Sequence, residues 1–267
     1  MLLKSKNCSN CGRYYDPTLE QCPTCHKRDE LYEQRGIPSS IVFFHPAAQI
    51  GLFVCGFAYI GMLISEIIAA FFLNFVPKGD YRDLLILVVA YLLMLLGLLL
   101  IALLTRRNSF LKKFERPFDY LFGLAFAVMV IVASSVVGSI TQLFYQAQDN
   151  ANQSAAVTMS LNYPILSGII LCLIGPICEE MTYRVGLYSF FRRINIVLAM
   201  IVTTIIFAFI HFDFTAEDMI NELWNLPSYI VAGLVLTIAY EVRGPACSMM
   251  AHILYNTFAF IMILLRI

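Results

Sequence analysis

Long apolar runs constrain this chain more than any other feature. Seven stretches, at roughly 46–76, 84–104, 118–145, 161–188, 194–212, 227–242 and 245–265, are apolar with few charges. A soluble core does not absorb several apolar runs of about 20 residues, whereas a bilayer requires them. Composition agrees: 60% of the 267 residues are hydrophobic and 13% charged, against about 45–50% and about 25% in a soluble domain. The implied fold is all-α, a polytopic transmembrane bundle of about seven spans. The fourth run is long, and either overshoots the bilayer or breaks at Gly175-Pro176, and splitting a long run makes eight spans. The sixth is short and needs residues from its flanks.

Polar residues gather in the first 40 positions, and net charge is zero. This suggests a small polar head on a membrane body, and no nucleic-acid partner is expected. Four units follow: a head at 1–35, a linker at 36–45, N-terminal transmembrane helices at 46–145 and a helical core at 160–265. No apolar stretch with a small-residue cleavage site precedes the head, so the run near Ile41 reads as an anchor that stays.

Lys and Arg are retained on the cytosolic side of a membrane. The second connection holds Arg106, Arg107, Lys112, Lys113 and Arg116, the fourth Arg192 and Arg193, and the sixth Arg243. The connection around 146–160 has no basic residue. The fifth holds Asp213, Glu217, Asp218 and Glu222 and none either. This alternation predicts a multi-pass cell-membrane protein with its head in the cytosol. With seven spans the C-terminus lies outside; with eight it does not.

Cys8-Ser9-Asn10-Cys11 and Cys22-Pro23-Thr24-Cys25 form two C-x-x-C pairs ten residues apart. Four thiolates on two knuckles suit tetrahedral zinc, while two disulfides suit a cytosolic head less well. A head this small has little core, so structural zinc at Cys8, Cys11, Cys22 and Cys25 would supply its folding energy. Closed coordination implies a structural role, such as docking a protein partner. His26 is a possible substitute ligand. Cys55, Cys172, Cys178 and Cys247 read as small hydrophobes.

Ionisable side chains within spans are costly and mark function. Glu179 and Glu180 are adjacent on a helix, about 100° apart, so they can hold different roles. Glu180 and Arg184 share a face in the favourable acid-then-base order, which leaves Glu179 free to touch water. A structural ion pair explains Glu180 and Arg184 equally well, but not the second carboxylate. His211 closes the fifth run, and His252 and Asn256 share a face of the seventh. Helix counting tests whether they meet. Glu179 lies about 20 Å before Arg192-Arg193, His211 about 27 Å after it, and His252 about 10 Å past Gly244. They converge if the Arg184–Arg193 stretch protrudes about 10 Å from the membrane. His45 reads as interfacial, and Glu66, the carboxylate of the first run, is left outside the site.

E-E-x-x-x-R at Glu179, Glu180 and Arg184, F-x-x-x-H at Phe207 and His211, and H-x-x-x-N at His252 and Asn256 together resemble the CPBP family of intramembrane proteases. This is the CAAX-protease and bacteriocin-processing group, also called the Abi family. The resemblance covers roughly residues 160–260. It implies these six residues, Phe207 aside, as functional, and a peptide or membrane-protein substrate. Tyr183 stands where phenylalanine is commoner, and Val185 intervenes before the expected glycine, Gly186. On this reading Glu179 is the general base on a water. His252 and Asn256 steady that water or the oxyanion. His211 orients the base or protonates the leaving amine, and Arg184 fixes Glu180. A rival version has the glutamates and histidines hold a catalytic metal. Outside catalysis, a membrane adaptor that binds partner helices, or less simply a transporter, would use the same spans.

Overall fold

The computed structural model describes residues 6–8, 13–16, 19, 21–27, 36–38, 40–42 and 44–266, without the side chains of residues 7 and 106–109. Two short strands, β1 (Lys6–Asn7) and β2 (Tyr14–Tyr15), pair antiparallel in the head. After His45 the described regular elements are helices: α1 (Pro46–Gly56), α2 (Ala58–Phe72), α3 (Asp80–Leu111), α4 (Pro117–Phe144), α5 (Ala151–Asn162), α6 (Pro164–Arg192), α7 (Ile196–Phe209), α8 (Met219–Arg243) and α9 (Pro245–Leu265).

Local chemistry marks many of these helix starts. Proline stands in the first turn of α1, α4, α6 and α9, where its missing N–H costs nothing. Asn150, Asn195 and Asp218 accept N–H groups of the first turns of α5, α7 and α8. His45 does the same for α1 through Nδ1, so the residue expected at the interface is a helix cap. Gly244, at φ +83°, turns α8 directly into α9.

The seven apolar runs appear as helices, with four departures from the expected lengths. The first run is two helices, α1 and α2, bent by 58° at Phe57. The fourth does not break at Gly175-Pro176: α6 continues for 29 residues. Wide i→i+5 turns at Ile170–Ile174 and Glu180–Tyr188 absorb the misfit. Gly175 donates its N–H to the carbonyl of Ile170, just before Pro176, which has no N–H to give. The fifth run, α7, has only 14 residues, about 21 Å of helix, which is short for a full crossing. The sixth, α8, is longer than expected at 25 residues and takes in Pro227. An additional helix, α5, occupies the third connection.

Helix α6 is the axis of the bundle. Half of its most apolar window is buried, against 22% in α3, α4 and α9. The outer helices therefore leave large apolar side chains such as Leu104, Phe118 and Leu143 exposed, as lipid-facing surfaces do. One cluster joins α6 to α1 and α3 through Leu52, Met94, Leu98, Cys178 and Val185. A second joins it to α4, α7, α8 and α9 through Val130, Tyr183, Phe207, Leu236 and Ala251. Segment 36–45 also enters the first cluster, with Ile37, Ile41, Val42 and Phe44 buried.

Candidate active site

The wide turn Glu180–Tyr188 presents the acidic pair. All nine of its residues are buried. Ser189 closes it, donating both its N–H and its Oγ–H to the carbonyl of Arg184. Inside the turn, Arg184 Nη1 lies 2.9 Å from Glu180 Oε1, and neither side chain is exposed. Arg184 Nη2 donates to the carbonyl of Gly233 on α8 at 3.1 Å. The guanidinium also lies 4.3 Å over the ring of Phe207 on α7, a cation–π contact that α7 supplies to a cation no water reaches.

Glu180 Oε1 takes a second partner, His252 Nδ1 on α9, at 2.9 Å. The imidazole is thereby oriented with Nε2 toward Glu179, 3.8 Å from Oε2. Glu179 is the more open of the two acids, with 19% of its side chain exposed against 0% for Glu180. Its Oε2 is nonetheless buried and, like Glu180 Oε2, makes no hydrogen bond among the described residues. The two carboxyls thus occupy different environments, one held by a guanidinium and an imidazole, the other uncommitted.

His211 stands one ring away. Phe207 lies between it and His252, with centroids 5.1 Å from the first and 5.9 Å from the second. His211 Nδ1 meets the carbonyl of Phe207 at 2.9 Å, and its ring stacks on Tyr229 at 4.5 Å. Asn256 lies one turn beyond His252 and donates Nδ2 to the carbonyl of Leu171 at 2.8 Å, inside the first wide turn of α6. The geometry therefore joins Glu179, Glu180, Arg184 and His252 directly, and places His211 and Asn256 on the flanks.

Two polar networks frame this cluster, and sequence reasoning assigned neither to it. At the end without basic residues, Glu222 accepts the N–H groups of Ala151 and Asp213 at 2.9 and 3.1 Å. Asn150 donates to the carbonyl of His211 and accepts from Tyr229 Oη. Glu222 was legible only as a loop charge, yet its side chain is buried. At the other end, Arg192 clasps Glu241 through Nε and Nη2 and also donates to the carbonyl of Gly36. Tyr188 donates to Glu241 at 2.6 Å. Arg193 reaches Gln49 and the carbonyl of Phe44. Gly36 and Phe44 therefore sit against the same end of the bundle as Arg192 and Arg193.

In the head, Cys8, Cys22 and Cys25 bring their sulfurs within 4.8 Å of one another, Cys8 and Cys25 at 3.5 Å. Tetrahedral zinc with bonds of about 2.3 Å sets sulfurs about 3.8 Å apart, so the spacing fits. None of the three is in a disulfide. Cys11 lies outside the described residues. His26 is exposed in a left-handed turn and is not among the grouped ligands.

Comparison with known proteins adds a family resemblance. Residues 161–258 match the family model described as type II CAAX prenyl endopeptidase Rce1-like. The UPF0177 protein YvdC of Lactococcus lactis is 24% identical over 66% of this chain and 66% of its own length. The membrane-embedded CAAX protease MroQ of Staphylococcus aureus is 26% identical over 54% of this chain and 57% of its own. An uncharacterized protein of Mycoplasma capricolum is 24% identical over 53% of this chain and 43% of its own. The chain thus aligns with two thirds or less of each relative. No solved structure matches. The matched stretch runs from α5 into α9 and contains the acidic pair, Arg184, both histidines and Asn256, so this part of the chain is similar to the Rce1-like type II CAAX prenyl endopeptidases.

Proposed function

We propose that this protein is an intramembrane endopeptidase that hydrolyses a membrane-associated peptide or protein with a glutamate-activated water. The observation that carries this reading is the division of labour in the acidic pair. Arg184 and His252 hold Glu180 Oε1 at 2.9 Å each, while among the described residues Glu179 has no arginine or lysine partner and is the more exposed of the two. A separation of 3.8 Å between Glu179 and His252 Nε2 is too long for a direct hydrogen bond, and suits one bridging water. Glu179 then takes the proton from that water as it attacks the scissile carbonyl. Two carboxylates against one guanidinium leave one net negative charge, which the captured proton neutralises. His252 steadies the water. One N–H of Asn256 is committed to Leu171, and the other is available to the developing oxyanion. Glu179 passes the captured proton to the leaving amine as the C–N bond breaks, and His211, whose Nδ1 donates to the Phe207 carbonyl, orients that amine through Nε2.

In the metal-dependent version, Glu179, His252 and His211 would supply the ligands, since Glu180 Oε1 is already engaged twice, but their ligand atoms do not all come within 4.8 Å of one another. A chelator separates the two, provided residues 1–35 are removed so that the head does not interfere.

The head is proposed to hold structural zinc through Cys8, Cys11, Cys22 and Cys25 and to offer a docking face for a protein partner. The proposed topology puts it on the cytosolic side of the cell membrane, with the basic connections. The contacts of Arg192 and Arg193 with Gly36 and Phe44 support this shared side.

The test is processing of a candidate membrane peptide by the full chain in vesicles. Glu179→Ala and His252→Ala should each lower kcat by about 100-fold or more. Undiminished processing by both variants would sink the reading.

A further inference from the structure

His211 is held by groups that α7 supplies only in part. Its Nδ1 meets the carbonyl of Phe207 at 2.9 Å. A carbonyl oxygen only accepts, so Nδ1 carries a proton and Nε2 of the neutral ring keeps a lone pair. One hydrogen bond fixes one atom of a ring and leaves its plane free to turn. The plane is set from α8. The Tyr229 ring stacks on the imidazole with centroids 4.5 Å apart and planes at 16°, whereas Phe207 meets it tilted, at 5.1 Å and 57°.

Tyr229 is held in turn. Its ring packs against the buried cluster of Ala208, Phe212 and Leu226. Its hydroxyl donates to Asn150 Oδ1 at 3.3 Å and accepts from Asn152 Nδ2 at 3.4 Å. Asn150 is only 2% exposed, and a buried amide persists where its polar atoms find partners. Its Oδ1 caps α5 by accepting the N–H of Gln153 at 2.9 Å. Its Nδ2 donates to the carbonyl of His211 at 3.3 Å. Capping α5 needs only the first of these bonds. The other contacts grip the backbone of His211 and the phenol stacked on its ring. Glu222 locks the same junction, accepting the N–H groups of Ala151 and Asp213, one on each side of it.

From this geometry we infer that Tyr229 and Asn150 are positioning residues for His211, which fix the plane and place of its ring so that the Nε2 lone pair points in one direction. The inference rests on the proposed peptidase reading and deepens it, since it names what holds the histidine that orients the leaving amine. An amine N–H donates to a lone pair only along its axis, and a small misplacement of such a group is costly to turnover. Neither residue is assigned a contact with substrate, so their effect falls on kcat rather than on KM.

The experiment uses the full chain in phosphatidylcholine vesicles and an apolar peptide of about 20 residues, long enough to span them. Tyr229→Leu removes the stacked ring, and Tyr229→Phe keeps the ring and its packing. Asn150→Ser keeps an oxygen to cap α5 but loses the amide that grips His211. Tyr229→Leu and Asn150→Ser should each lower kcat about ten-fold with KM within about two-fold, while Tyr229→Phe stays within about three-fold of the wild type. On a His211→Ala background the same substitutions should change the residual kcat by less than about two-fold, because residues that act through one group do not add. A second readout does not depend on turnover. The chain has four histidines, so the ring signals of isotope-labelled histidine in detergent are few, and His211 is identified by its loss in His211→Ala. Its carbon-bound ring protons should be shielded by the stacked ring in the wild type and in Tyr229→Phe, and lose that shielding in Tyr229→Leu. A His211 signal indifferent to Tyr229→Leu overturns the inference. So does an equal loss of kcat with and without His211, which would make Tyr229 and Asn150 purely structural. The expected signal change without turnover by the wild type would leave the placement of His211 standing and remove the peptidase reading.

Discussion

Arg184 sits at the point where burial and charge conflict most sharply. It has no exposed surface, and its cost is offset by Glu180, the Gly233 carbonyl and the Phe207 face. Removing one member of a buried pair strands the other charge. Arg184→Met should therefore cost about 3–5 kcal/mol, read as a lower thermal midpoint in detergent. Adding Glu180→Gln should return part of that loss, because no uncompensated charge then remains. Glu179 behaves in the opposite way. It is not held by a cation, so Glu179→Gln should abolish turnover while moving the thermal midpoint little. A large loss of stability in Glu179→Gln would mean that Glu179 is structural. The identity of these residues was legible in the sequence, since carboxylates, arginine and histidine stand out against apolar runs. Their division was only half legible. The i,i+4 spacing paired Glu180 with Arg184, but His252 Nδ1 on Glu180 joins residues 72 apart.

At the scale of elements, α1 and α6 approach through a glycine. A Cβ at Gly56 would stand 1.7 Å from Thr182 Oγ1, so the close approach of α1 to the wide turn of α6 depends on its absence. Gly56→Ala should cost about 1–3 kcal/mol through overpacking and lower activity by shifting the acidic pair. Thr182→Ala in the same chain should recover part of both, measured by thermal unfolding and peptide turnover. An unaltered midpoint in Gly56→Ala would show that the two helices can part freely. The wide turns were not legible in the sequence. They answer a misfit between Pro176, the packing of α1 and the need to bury nine consecutive residues. Periodicity reads the side-chain face a regular helix presents, and is blind to an extra residue per turn. The same turns make α6 shorter than regular helix counting implies, so the convergence of Glu180 with His252 does not require the full protrusion inferred from length.

For the whole molecule, the two ends differ in chemistry. Arg192, Arg193 and segment 36–45 meet at one end, and Glu222, Asn150 and Asn221 tie the connections at the other. A cytosolic reporter fused after residue 115 should be active, and one fused after residue 217 silent, with the reverse for a reporter that needs export. The opposite pattern would invert the proposed topology. The head is a separate test. The purified chain should hold about one zinc per molecule, released by thiol modification, and Cys22→Ser should lose it. Zinc content unaffected by Cys22→Ser would remove the four-thiolate site.

The sequence by itself determined that the chain is a helical membrane protein, where its apolar segments run, and which ionisable residues stand inside them. Those properties follow from local composition, and a bilayer punishes any other arrangement of such segments. Only the tertiary structure decided the bend at Phe57, the wide turns of α6, and the joining of His252 to Glu180. Each of these depends on groups from separate helices meeting where water is excluded, and no one-dimensional pattern records which distant partner satisfies a buried charge.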